Sequence, residues 1–289
     1  MKLENQLLEL ARAEALPDSY VPMALHWFVP VAEWLQRQHA EHGGALLVGV
    51  NGAQGTGKTT FCKALSPMLA ERGIHALTLG LDDFYLDRSR RGELAGTVHP
   101  LLQTRGVPGT HDLDLLNTTL DTLLAGESAS VPVFDKAIDD RLPPSRWLEA
   151  EPADVILLEG WCIGVSAESA DALAAPINRL ETEEDANAGW RRFVNAQLSG
   201  PYAGLFGRLD KLVVLQAPSL ASVLEWRRLQ ESKLAQHQAG SGVMSPEAIE
   251  RFVQHYERLT RHGLSSLPAQ ADYLLEIAPD HRVIGARER

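Results

Sequence analysis

The chain has 289 residues, a formal net charge of −11 and an apolar fraction of 45%, a composition typical of a soluble globular protein with a large core. The acidic balance argues against non-specific binding to nucleic acid, which requires a basic surface. No apolar run reaches the roughly 18 residues that span a membrane, and the acidic N-terminal stretch does not resemble a signal peptide. With two cysteines, these features predict a cytoplasmic protein without nucleic-acid or membrane partners, and they leave its oligomeric state open.

The first 41 residues predict helices that precede the rest of the chain. Apolar residues recur at helical spacing from Leu7 to Ala11 and again from Met23 to Leu35. Pro30 interrupts the second stretch, so we expect a break or a kink there. We therefore expect a helical segment, residues 1–41, that packs on one larger domain formed by residues 42–289.

From residue 45 onward, short apolar runs alternate with segments of helical spacing. The candidate strands are residues 45–50, 75–81, 131–134, 154–159, 211–216 and 272–277. The candidate helices are residues 58–72, 112–124, 188–207, 219–235 and 245–262. This alternation predicts an α/β fold with a doubly wound, mostly parallel sheet, in which ligands bind beyond the carboxyl ends of the strands.

The segment from Gly52 to Thr59 reads GAQGTGKT and matches the phosphate-binding loop (P-loop) pattern G-x-x-x-x-G-K-[ST], with a strand before it and a helix after it. Its glycines permit the backbone angles that turn successive N–H groups toward phosphates. In this pattern Lys58 contacts the β- and γ-phosphates, and the Thr59 hydroxyl binds Mg²⁺. The predicted ATP-binding residues are Gly52, Ala53, Gln54, Gly55, Thr56, Gly57, Lys58, Thr59 and Thr60. The loop alone does not distinguish a kinase from a GTPase or a motor.

Two other candidate strands end in carboxylates. Asp82 and Asp83 follow strand 75–81, where a kinase needs a carboxylate to orient the acceptor hydroxyl and accept its proton. Glu159 ends strand 154–159, where it is placed to bind Mg²⁺ directly or through water. The structural alternatives are an Asp-Asp turn that caps the next segment and an ordinary polar loop after a buried strand.

Basic residues in two loops are candidates for contacts with an anionic substrate. The loop RGVPGTHD contains Arg105 and His111, and its last residue, Asp112, is placed to cap the next helix. Lys136 and Arg141 flank the end of the following strand. For each of these residues a solvated surface role is equally open.

Helix 219–235 contains the adjacent pair Arg227 and Arg228. An arginine on such a helix can close over the site as a lid and stabilise the charge of the transferred phosphoryl group. An ordinary amphipathic helix with ion pairs one turn apart is the alternative. The acidic stretch 181–188 is predicted to be a surface turn or the start of a helix.

In chain order, GAQGTGKT, LDDFYL, RGVPGTHD, PVFDKA with a following DR, and LLEGW resemble the D-glycerate 3-kinase-like branch of the phosphoribulokinase, uridine kinase and pantothenate kinase superfamily. WRRLQESKL and MSPEAIERFVQHY resemble the closing helices of that branch, and the resemblance covers residues 45–270. It implies an ATP- and Mg²⁺-dependent kinase that phosphorylates a hydroxyl of a small molecule, with D-glycerate as the favoured acceptor. The alternatives are a nucleoside, a pantothenate-like compound or a sugar alcohol, or an ATP-hydrolysing switch or assembly factor without a small acceptor.

The resemblance also implies roles for individual residues. Asp82 matches the catalytic aspartate, and Glu159 matches the acidic residue that binds Mg²⁺ with Thr59 and, in one arrangement, Asp82. The implied catalytic residues are Asp82, Lys58, Arg227 and Arg228, and the expected acceptor contacts are Tyr85, Arg105, His111, Lys136 and Arg141. Two departures lie where the acceptor is expected to bind: a shortened stretch, Ala137–Asp140, and the altered turn CIGV after Trp161.

Overall fold

Strands and helices alternate along most of the chain. The computed structural model describes residues 2–237 and 246–289. Its strands are β1 (Leu46–Gly52), β2 (Ala76–Gly80), β3 (Ala129–Val131), β4 (Phe134–Asp135), β5 (Asp140–Arg141), β6 (Leu148–Ala150), β7 (Val155–Gly160), β8 (Lys211–Gln216), β9 (Tyr273–Ile277) and β10 (Val283–Glu288). Its helices are α1 (Lys2–Ala13), α2 (Tyr20–His42), α3 (Lys58–Ala70), α4 (Arg88–Thr97), α5 (Leu113–Leu124), α6 (Arg179–Glu184), α7 (Gly189–Gln197), α8 (Ala203–Phe206), α9 (Leu220–His237) and α10 (Pro246–Ser266).

The main sheet has the strand order β10-β9-β8-β1-β7-β2. Its strands pair in parallel, except that β10 pairs antiparallel with β9. Every residue of β1 and β7 is buried, as expected for central strands that are covered on both faces. The predicted doubly wound, mostly parallel α/β fold is therefore confirmed.

Alternate residues of the strands contribute to two separate hydrophobic cores. On one face, Val48 and Val50 of β1 pack among residues of α1, α2, α3 and α9. On the other face, Leu47 packs among residues of α5, α7 and α10. Because helices cover both faces, the polar groups of a site are accommodated at the carboxyl ends of the strands.

The five predicted helices correspond to α3, α5, the run from α7 to α8, α9 and α10. A π-helical turn, Leu198–Tyr202, joins α7 to α8. Asp112 caps α5 as predicted, because its side chain accepts a hydrogen bond from the Leu115 N–H. Ser245, the first residue of the last candidate helix, lies outside the described residues. No helix among the described residues combines the length and apolar character needed to cross a membrane.

Helix α2 continues through Pro30, so the expected break there is wrong. A proline inside a helix costs roughly 3 kcal/mol, because it removes one backbone hydrogen bond and crowds the preceding turn. Packing of α2 on the rest of the chain offsets this cost. Phe28 meets Phe61 of α3 edge-on, with ring centroids 4.8 Å apart, and Trp34 lies 5.3 Å from Tyr273 of β9.

The candidate strand 131–134 is wrong as a single strand. Its residues divide between β3 and β4, which pair with β6 and β5 in two small antiparallel sheets outside the main sheet. Pro132 lies between β3 and β4, and a proline has no N–H to donate to a continuous ladder. Neither α4, which has a mostly polar sequence, nor the edge strand β10 was predicted.

The acidic stretch 181–188 includes the end of α6, and two of its acids are buried rather than exposed. Glu181 is fully buried, and its carboxylate lies 2.7 Å from Nη2 of Arg258 in α10. Asp185 is 2% exposed and lies 2.9 Å from Nη1 of Arg191. Arg258 ties α6 to α10, and Arg191 ties α7 to the turn that precedes it. Glu181 lies in the first turn of a helix, as one of the two alternatives had it, but the expected surface exposure is wrong for both acids.

The ion pair between Arg258 and Glu181 should be important for stability. We expect Arg258→Met to lower the free energy of unfolding by about 3 kcal/mol, because it leaves the Glu181 charge buried without its partner. Arg261→Met is the matched control on the same helix: the Arg261 side chain is 59% exposed, so its pair with Glu257 should contribute roughly 0.5 kcal/mol or less. Urea denaturation compares the two variants, and equal losses would contradict the expectation.

Candidate active site

The loop between β1 and α3 is closed by its own backbone and needs glycine at defined positions. Thr56 donates to the Ala53 carbonyl from its N–H at 3.1 Å and from its hydroxyl at 2.8 Å. Gly55 and Gly57 have φ angles of 82° and 86°, in the left-handed region that favours glycine. Helix α3 begins directly after Gly57, so its unpaired N–H groups and the positive end of its dipole face the loop.

Residues from the C-terminal third of the chain support this loop from outside. A Cβ at position 55 would lie only 2.5 Å from Cβ of Trp226 in α9. The Trp226 ring lies 4.5 Å from the His281 ring, and His281 Nε2 lies 2.8 Å from the Gly55 carbonyl oxygen, to which it donates. No local pattern pointed to Trp226 or His281, because their contacts with Gly55 join residues more than 170 positions apart.

Glu159 meets the start of α3, because β7 is the direct neighbour of β1. The Thr59 hydroxyl donates to Glu159 Oε1 at 2.7 Å, and Lys58 Nζ lies 3.9 Å from Oε2. Oε2 is buried and has no hydrogen-bond partner among the described residues. A buried carboxylate oxygen in this state favours a nearby cation.

These oxygen donors fit Mg²⁺, which is usually bound by one or two carboxylates together with phosphate oxygens. Within the part of the chain that the structure describes, no group of three or more His, Cys, Asp or Glu side chains is placed to hold a metal ion by itself. Asp82, which the sequence also suggested as a ligand, contacts the side chains of Lys136 and Tyr85.

Asp82 lies in a short 3-10 turn, Leu81–Phe84, that follows β2. Lys136 Nζ lies 2.9 Å from Asp82 Oδ2, and the Tyr85 hydroxyl donates to Oδ1 at 2.7 Å. Burial by itself raises the pKa of Asp82, but the charges of Lys136 and Lys58 and the hydrogen bond from Tyr85 hold that pKa well below its usual range. Asp82 is therefore ionised at neutral pH and able to accept a hydrogen bond from a substrate hydroxyl.

The neighbouring Asp83 has a different environment. Its Oδ1 accepts a hydrogen bond from the Phe134 N–H at 3.5 Å, which ties the turn after β2 to β4. Burial raises the pKa of Asp83 to about 6. The two adjacent acids are thus distinct, with Asp82 paired to a lysine and Asp83 bound to the backbone.

His111 lies beneath Tyr85 and does not supply positive charge. The two rings stack with centroids 4.7 Å apart, and His111 Nδ1 lies 2.6 Å from the hydroxyl of Tyr202 in the π-helical turn. Burial lowers the pKa of His111 to about 4, so its ring is neutral at physiological pH. The contact with Tyr202 was not predicted, because a regular 3.6-residue spacing does not describe a π-helical turn.

The remaining basic residues surround the β4–β5 hairpin. Arg105 pairs with Asp139, and its guanidinium lies 5.3 Å from the centroid of the Phe134 ring. Arg141 Nη2 donates to the Tyr85 carbonyl at 2.8 Å and to Asp112 at 3.1 Å, so Arg141 braces the backbone beside the site.

The two candidate lid arginines have different surroundings. The Arg227 guanidinium lies 4.7 Å from the centroid of the Phe252 ring in α10. Arg228 Nη1 pairs with Glu225 at 2.6 Å, and both side chains are largely exposed. Arg227 therefore faces the neighbouring helix, whereas Arg228 has the solvent-exposed ion pair of an ordinary helix surface.

Comparison with known proteins places the chain in a family. No protein-family model matches the chain. The protein "Uncharacterized kinase mug58" of Schizosaccharomyces pombe is 33% identical over 237 residues, which cover 78% of this chain and 83% of the relative. The chloroplastic D-glycerate 3-kinase of Arabidopsis thaliana is 31% identical over 269 residues, 86% of this chain and 54% of the relative. The solved structure of D-glycerate 3-kinase from Cryptococcus neoformans var. grubii matches with a TM-score of 0.74 and 26% identity, over 91% of this chain and 99% of that one.

A nucleotide-binding loop of this form, on a parallel sheet that is shared with known kinases, defines a P-loop kinase. Such an enzyme moves a phosphoryl group from a nucleoside triphosphate to an acceptor. By its similarity to both curated relatives, the chain belongs to the D-glycerate 3-kinase-like family of P-loop kinases. It is a phosphotransferase with an alcohol group as acceptor, as the sequence predicted.

The contact of Gly55 with Trp226 leads to a test of the loop. We expect Gly55→Ala to reduce kcat/KM for ATP by at least ~10-fold, because the new methyl group displaces the loop or α9. Gly73→Ala is the control: its φ of 74° imposes similar backbone strain, but no atom lies within 4 Å of the added Cβ. Steady-state kinetics with purified variants measure the difference, and similar losses in both would show that backbone strain alone is responsible.

Proposed function

We propose that the protein transfers the γ-phosphoryl group of ATP to a hydroxyl of D-glycerate, with Mg²⁺ as the metal ion. The observation that carries this proposal is the ionised Asp82, which lies at the end of β2 beside Lys136. A carboxylate that binds the reacting hydroxyl, together with cations that bind an acceptor carboxylate, suits a small hydroxy acid. The family membership supports the same reaction.

The donor half of the proposed site comprises the phosphate loop and the start of α3. The backbone N–H groups of residues 52–60 bind the phosphates, and Lys58 neutralises charge on the γ-phosphate. Thr59 and Glu159 hold Mg²⁺, which supplies charge neutralisation on the phosphate oxygens when it is bound. Lys58 remains close enough to Glu159 to contact both the phosphate and the acid.

Asp82 is the proposed base of the acceptor half. Transfer of a phosphoryl group passes through a loose transition state, so the acceptor proton leaves late and the main task of the carboxylate is to orient the hydroxyl. A carboxylate with a low pKa suits this task, because it stays ionised while the acceptor binds. Tyr85 holds one carboxylate oxygen through its hydrogen bond, and this fixes the direction from which the hydroxyl approaches.

The other predicted acceptor residues divide into contacts and supports. Lys136 and Arg105 are the proposed contacts with the acceptor carboxylate. His111 and Arg141 keep Tyr85 in place, the first through ring stacking and the second through the Tyr85 carbonyl. We further propose that the helices of residues 1–41 are part of the same folded unit as residues 42–289, because α2 packs on α3 directly behind the phosphate loop.

An acceptor screen with purified protein tests the proposal. ADP formation is measured with D-glycerate, L-glycerate, uridine, cytidine and pantothenate, each compared with the rate in water alone. We expect D-glycerate to give the highest kcat/KM. A higher kcat/KM for a nucleoside than for D-glycerate would identify the nucleoside as the acceptor. If no compound raises turnover above the rate in water, small-molecule acceptors of these kinds are excluded.

The proposed base gives a sharper test. We expect Asp82→Asn to lower kcat by at least ~100-fold while ATP still binds, because the neutral amide orients the acceptor hydroxyl less strongly and can no longer accept its proton. Asp83→Asn is the control, since its amide oxygen still accepts from the Phe134 N–H and we expect kcat within about fivefold of the wild type. Nearly normal turnover of Asp82→Asn would refute the assignment of the base.

The proposed lid arginine has a matched neighbour. We expect Arg227→Met to lower kcat by about 100-fold, the usual effect of removing one preorganised contact with developing charge. Arg228→Met should change kcat by less than about twofold, because its exposed pair with Glu225 contributes little. Single-turnover measurements separate the chemical step from substrate binding, and equal effects of the two substitutions would argue against a specific role for Arg227.

A further inference from the structure

Asp139 lies in the loop of the β4–β5 hairpin, in a conformation that few residues other than glycine adopt. Its φ is 55°, within the left-handed region. Its carboxylate contacts two arginines, with Oδ1 against Nη1 of Arg105 and Oδ2 3.1 Å from Nη2 of Arg91. A strained backbone that aims a carboxylate at two cations suggests a function for that carboxylate.

The two arginines are not equivalent partners. The Arg91 side chain is fully buried and also donates to the backbone carbonyls of Leu86, Gln103 and Asp139, at 3.1, 3.0 and 2.6 Å. Arg91 is therefore fixed in place. The Arg105 side chain is 26% exposed and that of Asp139 is 35% exposed, so this pair can open at modest cost.

The position of Arg105 is set independently of Asp139. The Tyr256 hydroxyl donates to the Arg105 carbonyl at 2.9 Å, and the Phe134 ring lies against the Arg105 guanidinium. The Arg105 backbone and the contact of its guanidinium with the Phe134 ring therefore do not depend on the Asp139 carboxylate.

The loop between β4 and β5 forms two ion pairs with residues of the proposed acceptor half. Lys136, at its start, pairs with Asp82, and Asp139, at its end, pairs with Arg105. In the proposed function, the acceptor hydroxyl goes to Asp82 and the acceptor carboxylate goes to Arg105. Asp139 therefore occupies the position on Arg105 that the acceptor carboxylate needs.

We propose that Asp139 determines specificity by competing, through Arg105, with the anionic group of the acceptor; this inference rests on the proposed function. An anion has to displace the Asp139 carboxylate before it can pair with Arg105. A small anion without a hydroxyl gains only the contact with Arg105, and its binding free energy is too small to displace Asp139. A hydroxy acid also gains a hydrogen bond to Asp82. The shortened loop Ala137–Asp140 thus acts as a filter at the acceptor site.

The test is Asp139→Asn, which removes the charge, keeps a polar group for Arg91 and tolerates the left-handed backbone. We expect KM for D-glycerate to fall about fivefold, with kcat and KM for ATP within about twofold of the wild type. KM for the methyl ester of D-glycerate, which has no negative charge, should stay unchanged. Asp139→Gly, which also removes the carboxylate and adopts the left-handed backbone without strain, is the second variant and should give the same shift in KM.

Asp140→Asn is the matched control in the same hairpin, at the start of β5. Asp140 accepts hydrogen bonds from the N–H groups of Arg88 and Arg141 and not from Arg105, so KM for D-glycerate should not fall. A rise in KM for Asp139→Asn would overturn the inference, because it would mean that Asp139 orients Arg105 for the acceptor. An equal fall in KM for D-glycerate and for its methyl ester would also overturn the inference, because the effect would then not depend on the charge of the acceptor. Both results presuppose a wild-type enzyme that phosphorylates D-glycerate; a wild type that does not would refute the proposed function and this inference together.

Discussion

In the parallel pairing of β1 with β7, Val50 lies opposite Glu159, and the two strands end side by side. This register brings the acid of β7 to the first turn of α3, where the Thr59 hydroxyl lies 2.7 Å from it. The phosphate loop leaves β1 at the same edge, so loop, hydroxyl and acid share one location. Burial of every residue in both strands makes the register costly to change, because a one-residue slip would turn Glu159 away from the site.

The proposed acceptor half depends on a local cluster of basic side chains in a protein that is acidic as a whole. The chain carries a net charge of −11, yet Arg91, Arg105, Lys136 and Arg141 gather around one hairpin. Most of these cations are held by carboxylates or backbone carbonyls of the chain itself. The proposed acceptor site therefore presents paired charges, and in this proposal a substrate exchanges partners with them instead of binding unpaired cations.

Much of the fold and of the donor half could be predicted from the sequence. Strands alternating with helices, and the spacing of GAQGTGKT, reflect interactions between residues close in the chain, which a sequence pattern records directly. The mistakes concern longer-range packing. Burial outweighed the tendency of Pro30 to end a helix, and arginines in α7 and α10 allowed Glu181 and Asp185 to be buried in a stretch that looked like surface. The support of Gly55 by Trp226 and His281 had no local signal at all.

The sequence by itself determined that the protein binds a nucleotide, that its sheet is mostly parallel and that acids lie at the ends of two of its strands, because these properties depend on residue type and local spacing. Only the tertiary structure decided which charges meet. It paired Lys136 with Asp82 and Asp139 with Arg105, left His111 neutral beneath Tyr85, and distinguished Arg227 from Arg228. The physical reason is that burial, ion pairing and ring stacking depend on distances between residues far apart in the chain, which follow from the packing of the whole molecule.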